Sequence, residues 1–387
     1  MVSPLYGQDI SAPVPTLPSG FSDLPVAATS TTADSILDRL KFSAALTTRY
    51  DSNVLQGSGD GLSPEIDDII ITPSLTAGYA TSSRRYRFAA SAAASRDFNL
   101  RETGLSNSDV GLNLTGGFKS KKVIANAGLS FARQEGINRF TSDILEENVF
   151  GANLSGNYRL TPKTSLFARS AFIDSSRSGL RGADTTLFDL ETSALWQATS
   201  LFNLGVGIDY SERSQGGESL SSIGPTLRGN YDFSSKVKLR SSLDLDFVDA
   251  DSGSDDTLVS WSVGLGYRAN AIWSVDLSLL RDVRASLVSG GGFEQLTTYQ
   301  ITHRHKIRKF QTSFSAGYET RSQVLENGTA VAAPDSDYLF LNAAISTPVF
   351  QKKADLSLSL SYLNFDADIS AQSWDSFRGG LSLSYSF

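Results

Sequence analysis

The chain has 387 residues, 40% hydrophobic and 19% charged, with a net charge of −7. It contains no cysteine, one methionine and two histidines. That excludes a disulfide scaffold and thiolate metal sites, and the acidic balance argues against a nucleic-acid partner.

Residues 1–38 come first. "SAPVPTLPSGFSDLPVAATSTTADS" is rich in Pro, Ser, Thr and Ala and has no period. It predicts an extended tail with no packed core. "MVSPLYGQDI" is too short for a signal peptide, so export has to be argued from the rest of the chain. "ADSILDRL" predicts one or two helical turns before the body begins.

Over residues 39–387 the texture changes and holds. Leu40, Phe42, Ala44, Leu46, Thr48 and Tyr50 alternate with Lys41, Ser43, Ala45, Thr47, Arg49 and Asp51. The same period of two recurs through "VKLRSSLDLDF", "ADLSLSLSY" and "GGLSLSYSF". Period two is the strand signal, and no helical period competes with it. Eighteen such segments start near residues 39, 68, 85, 108, 122, 147, 164, 187, 201, 221, 236, 258, 271, 295, 309, 337, 353 and 377. Those near 164, 295 and 337 are weakly phased, which leaves sixteen as the alternative count. The segments run to about ten residues, and a tilted strand needs roughly 9–11 to cross a bilayer core.

The connections alternate short and long. "TSSR", "KSKK", "LTPK", "FSSK" and "KIRK" are short, while 52–67, 133–147, 211–219, 249–257 and 320–336 are read as long loops. Alternation alone does not separate a soluble sheet from a membrane barrel, but size does. Open sheets rarely exceed about ten strands, and two unprotected edges invite aggregation. A closed barrel in lipid turns its apolar face to acyl chains and its Ser/Gly/Asn/Thr face to interior water. The predicted fold is therefore all-β, a transmembrane up-and-down antiparallel barrel over 39–387. This connection pattern places both termini on the short-turn side.

Two sortings support this reading. Outward-phase aromatics gather at both strand ends, Tyr86, Phe118, Trp196 and Trp273 below and Tyr50, Phe150, Phe188 and Tyr318 above. Paired girdles of this kind anchor a barrel at two interfaces. Short turns carry Lys and Arg and long loops carry Asp and Glu. A solvated pair of rims explains that plainly. The sharper reading is an acidic upper rim that binds lipopolysaccharide through divalent cations.

Motifs with possible chemistry are weak. His303 and His305 share the face of Tyr299 and Ile301 with no third ligand, and read as interfacial anchors rather than metal ligands. "DADSGSDD" (249–256) lacks the order and terminal Glu of a calcium loop and reads as an acidic loop. Gly205/Gly207 and Gly264/Gly266 lie inside strands with no helix following, so they cradle no phosphate. No Ser/His/Asp set is apparent, and both histidines lie at the wrong end for hydrolysis. No enzyme activity, cofactor or metal is predicted.

Lumen-phase charges are Lys41, Arg49, Arg87, Arg169, Glu191, Arg228, Lys238, Arg240, Asp244, Asp246, Asp276 and Arg304. Their mixed signs predict cross-strand pairing and no strong ion selectivity. Few aromatics point inward, Phe167 being the clearest, so no stacking track for sugars is expected.

The closing residues resemble the assembly signal of bacterial outer-membrane barrels: Arg378, Gly380, Leu383 and Tyr385 fit its order, and Phe387 extends it by two residues. The size, moderate loops and Pro-rich tail are similar to the β-barrel porin 2 family, porin-like proteins associated with exopolysaccharide loci. That resemblance implies a Gram-negative outer membrane and the barrel-assembly machinery as a partner. It also implies a conduit for secreted polysaccharide, by analogy. A diffusion porin for small polar solutes and a structural or adhesive barrel are the alternatives. The tail over 1–38 is expected on the periplasmic side, where it has the length to bind a periplasmic partner.

Overall fold

The computed structural model describes residues 39–58, 64–137, 144–178, 184–250, 255–285, 293–325, 335–350, 353–368 and 373–387. The tail expected over 1–38 lies outside them, as do residues 251–254 of the acidic loop 249–256. The strands are β1 Leu40–Asp51, β2 Asp68–Ser82, β3 Tyr86–Arg96, β4 Phe98–Asn99, β5 Ser108–Lys119, β6 Val123–Ile137, β7 Ile144–Arg159, β8 Thr164–Ser178 and β9 Thr185–Gln197. They continue as β10 Phe202–Gln215, β11 Glu218–Asp232, β12 Val237–Ala250, β13 Asp255–Asn270, β14 Trp273–Ala285 and β15 Phe293–Ile307. The last four are β16 Phe310–Leu325, β17 Ser336–Val349, β18 Ala354–Ala367 and β19 Trp374–Ser386.

Eighteen of these form one antiparallel meander. β1 pairs with β2 on one side and with β19 on the other, so the sheet closes on itself. Closure removes the two edges that an open sheet of this size would expose. The nineteenth strand is β4, two residues that cap the upper end of β2 opposite Ile70 and Ile71. Periodicity does not reveal so short a strand. A buried carboxylate holds the segment that follows it: Asp68 accepts from the backbone N–H groups of Ile69, Arg101 and Glu102 and from the Asn99 amide.

Every weakly phased segment is a full strand: β8, β15 and β17 pair on both sides. The predicted long loops 133–147, 249–257 and 320–336 are shortened, because β6 runs to Ile137 and β7 starts at Ile144, β12 runs to Ala250 and β13 starts at Asp255, and β16 runs to Leu325. The loop 211–219 is corrected most. Strands β10 and β11 run on to Gln215 and Glu218, joined only by Gly216 and Gly217. Both glycines have positive φ, 59° and 93°, the backbone that a two-residue hairpin needs. Ser211, Glu212, Arg213, Ser214 and Gln215 are polar on both phases, so nothing in their hydropathy distinguishes them from a loop.

The outward face is aliphatic between two aromatic levels. Leu75, Leu154, Val206, Ile208 and Leu381 are each more than half exposed, which only an apolar surrounding tolerates in such numbers. Near the short turns Tyr86 meets Phe118 at 5.3 Å, Phe202 meets Tyr231 at 5.9 Å and Tyr267 meets Trp273 at 5.1 Å. Near the long loops Phe150 meets Phe172 at 6.4 Å and Phe188 meets Tyr210 at 6.2 Å.

The wall is locally tight at Gly224 in β11. A Cβ there would collide with the Leu245 carbonyl oxygen of β12. The next residue, Pro225, has no N–H to hold the ladder. Gly224→Ala is expected to lower the yield of folded barrel several-fold, read as loss of the fast-migrating folded band in unheated gel samples. Gly104→Ala, which meets nothing within 4 Å, should leave the yield unchanged.

Candidate functional site: the lumen wall

The strand register assigns each side chain to a face. Lys41 and Arg49 on β1, Arg87 on β3, Arg169 on β8, Glu191 on β9 and Arg228 on β11 alternate with the apolar residues and share one face. Lys238, Arg240, Asp244 and Asp246 on β12, Asp276 on β14 and Arg304 on β15 lie on the same face. Buried polar groups gather there, and some reach across a strand to a non-neighbour, as Arg228 of β11 does to Glu191 of β9.

Three of these charges converge. Glu191, 1% exposed, accepts from Arg169 at 2.8 Å, from Arg228, and from the Ser193 hydroxyl at 2.8 Å. Arg228 starts two strands away from Glu191. It passes over β10, whose inner face carries Gly205 beside Arg228, Gly207 next along, and Asp209 opposite Glu191. Its guanidinium also stands 5.5 Å from the centre of the Phe167 ring. Two cations on one carboxylate offset its burial, which neither alone would do as well.

The others are dispersed. Asp276 and Arg304 pair at 2.8 Å while both stay more than half exposed. Arg49 lies 3.6 Å from Asp97, and Arg87 donates to Asn126 at 2.9 Å. Asp246 accepts from Ser260 at 2.9 Å, and Asp244 stands across the ladder from Ser260 and Thr226. Lys41, Lys238 and Arg240 are exposed, with no ion pair among the described residues.

Height along the barrel matters as much as face. In the long-loop half the inner residues are mostly buried. Arg321 donates to Glu294 at 2.6 Å and to Glu319 at 2.7 Å, all three nearly sealed from water. Arg177 pairs with Glu147 at 2.7 Å, and Arg378 with Asp51 at 2.7 Å. Arg213 of β10 lies 3.8 Å from Asp189 of β9 and 3.7 Å from Asp282 of β14, although β10 and β14 are not neighbours in the sheet. The barrel is drawn inward there. Leu220, Val248, Leu258 and Val283 fill the fold with a small apolar core.

A second apolar core corrects the expectation of few inward aromatics. Tyr338, Phe365 and Trp374 are buried together on the inner wall of β17–β19, with Leu363, Ala367 and Phe340 against them. Tyr338 and Phe365 stand 6.3 and 6.1 Å from Trp374. "YLFLN" is apolar on both phases, so period two gives no face; only the pairing of Tyr338 with Phe365 and of Phe365 with Trp374 does.

In the short-turn half the inner face is open instead. Exposed there are Lys41, Arg87, Lys119, Arg159, Lys238 and Arg304. The lumen is thus wet toward the short turns and packed toward the long loops.

Arg378 and Gly380 face inward, and Leu383, Tyr385 and Phe387 outward. The Phe387 N–H donates to the Phe42 carbonyl at 2.9 Å across the closing seam. His303 and His305 lie on the outer face beside Trp273, with His303 5.7 Å from its ring. Among the described residues no group of three or more His, Asp or Glu is placed to hold a metal ion.

The fold and its two faces define a transmembrane β-barrel of eighteen strands. No family model matches the chain, and no curated protein matches it. Among solved structures it is similar to the FrpB iron transporter from Neisseria meningitidis in its apoprotein form, at 9% identity and TM-score 0.49, covering 91% of this chain and 82% of that one. It is also similar to OccAB3 from Acinetobacter baumannii, at 11% identity and TM-score 0.44, covering 90% and 99%. The siderophore receptor PirA from Pseudomonas aeruginosa is similar at 11% identity and TM-score 0.42, covering 90% and 80%. At these identities and scores nothing about cargo or partners passes from them to this chain.

Proposed function

We propose that this protein is a channel of a Gram-negative outer membrane that conducts secreted polysaccharide, with both termini periplasmic. The observation that carries the reading is the two-part lumen, a wet polar wall in the short-turn half and a packed wall in the long-loop half. A polar wall with small residues suits a hydrated cargo, and transport along it needs no chemistry. A general diffusion porin needs a bore that stays open at both ends. The buried ion pairs and the two apolar cores of the upper half favour a conduit that opens only with its cargo or a partner. The resemblance of the chain to the β-barrel porin 2 family points to the same cargo.

Two measurements test this together. The purified chain in planar bilayers is expected to stay near baseline conductance, and deleting its gene should abolish secretion of an extracellular polysaccharide. A steady open conductance with secretion intact would favour the diffusion porin instead.

A further inference from the structure

The inner charges sort by height in a way that their mixed signs in sequence conceal. Near the short turns, Arg87, Lys119, Arg159, Lys238, Arg240 and Arg268 all lie on the inner face by register and are exposed. The acidic residues on that face at the same level are Asp232, Asp276 and Asp355. Asp276 is already held by Arg304 at 2.8 Å. Among the described residues no carboxylate lies within ion-pair distance of Lys119, Arg159, Lys238, Arg240 or Arg268. In the upper half the pattern is the reverse, since Arg177, Arg321 and Arg378 are each matched by one or two carboxylates, as with Arg321, Glu294 and Glu319.

We infer that the short-turn half of the lumen is a binding wall for a carboxylate-bearing polysaccharide. This rests on the conduit reading and names its cargo class. Lys238 and Arg240 face Gly266 and Gly264 across the ladder, and Arg87 lies over Gly117. No atom stands within 4 Å of where a side chain at Gly264 would begin, so the wall is open beside Arg240. Arg87 and Lys119 lie on the paired strands β3 and β5, and Lys238, Arg240 and Arg268 on the paired strands β12 and β13. With neighbouring strands about 4.8 Å apart, the cations form two clusters on the wall, each within reach of adjacent sugar carboxylates. Guanidinium groups grip carboxylates in bidentate fashion, and an enclosed wall of one sign concentrates oppositely charged ligand. The neutralised upper half offers no second such wall, so the affinity is confined to one end of the barrel.

The test uses the full chain in lipid nanodiscs, with oligogalacturonate as the acidic probe and maltooligosaccharide of equal length as the neutral one. The expected result is oligogalacturonate binding that weakens as salt rises, with no measurable binding of the neutral probe. The combined variant Arg87→Gln, Lys238→Gln, Arg240→Gln and Arg268→Gln should lose at least tenfold in affinity while keeping the folded band and circular dichroism of the parent. Equal binding of both probes, no binding of the acidic probe, or unchanged affinity in the variant would overturn the inference. The conduit reading fails separately. If deleting the gene leaves polysaccharide secretion intact, that reading falls whatever the probes do. If secretion depends on the gene but the probes bind alike, only the cargo class is wrong.

Discussion

Arg321→Met is expected to destabilise the barrel by about 3–5 kcal/mol, because it removes the guanidinium that bonds two buried carboxylates. Arg321 is 6% exposed, Glu294 is 6% exposed and Glu319 is 2% exposed, and one guanidinium bonds both carboxylates. The loss is mainly the cost of the stranded charges and not the net worth of the pairs. It follows that Glu294→Gln and Glu319→Gln added to Arg321→Met should recover most of the stability, since both carboxylates are then neutral. Urea unfolding of the barrel in lipid vesicles, followed by tryptophan fluorescence, measures both variants. The same substitution bears on function, because Arg321 helps to pack the upper half of the lumen. A single variant as stable as the parent would show that water reaches these groups and that the long-loop end is not sealed. A triple variant no better than the single one would make the packing of the Arg321 stem, not its charge, the cause.

Deleting Phe387 should reduce the amount of assembled barrel several-fold. Its structural share is small. Phe387 contributes one hydrogen bond at the closing seam, to Phe42 at 2.9 Å, and a ring 5.0 Å from Tyr385. A single bond of this kind is worth about 1 kcal/mol. The side chain itself is 75% exposed on the outer face. A large loss of assembly with nearly unchanged stability in the barrels that do form would mark the residue as part of a recognised edge. Folded and unfolded bands in isolated membranes give the first quantity, and urea unfolding of the folded fraction gives the second. Phe387→Tyr should assemble normally. If the deletion lowers assembly no more than it lowers stability, the terminal aromatic is only a girdle residue.

Much of this molecule is legible in the order of its residues. A period of two needs no tertiary information, because alternate side chains leave a strand on opposite sides whatever it pairs with. That is why the starts of β1, β2 and β5, and even the weakly phased β8, β15 and β17, agree with the reading of residues 39–387. The inward position of Arg169, Glu191 and Arg228 also follows from phase. Their meeting does not. Arg228 reaches Glu191 only because β10 carries glycine between them, and that depends on register between three strands.

The class of fold is written in local alternation, because that pattern repeated about eighteen times has only one solution that hides every edge and every backbone group in lipid. What occupies the interior follows from packing in three dimensions. Burial of Tyr338, Phe365 and Trp374, the Arg213 link between strands that are not neighbours, and the sorting of cations to the short-turn end all depend on height and curvature. Phase tells inside from outside but carries no information about how far along the barrel two residues meet.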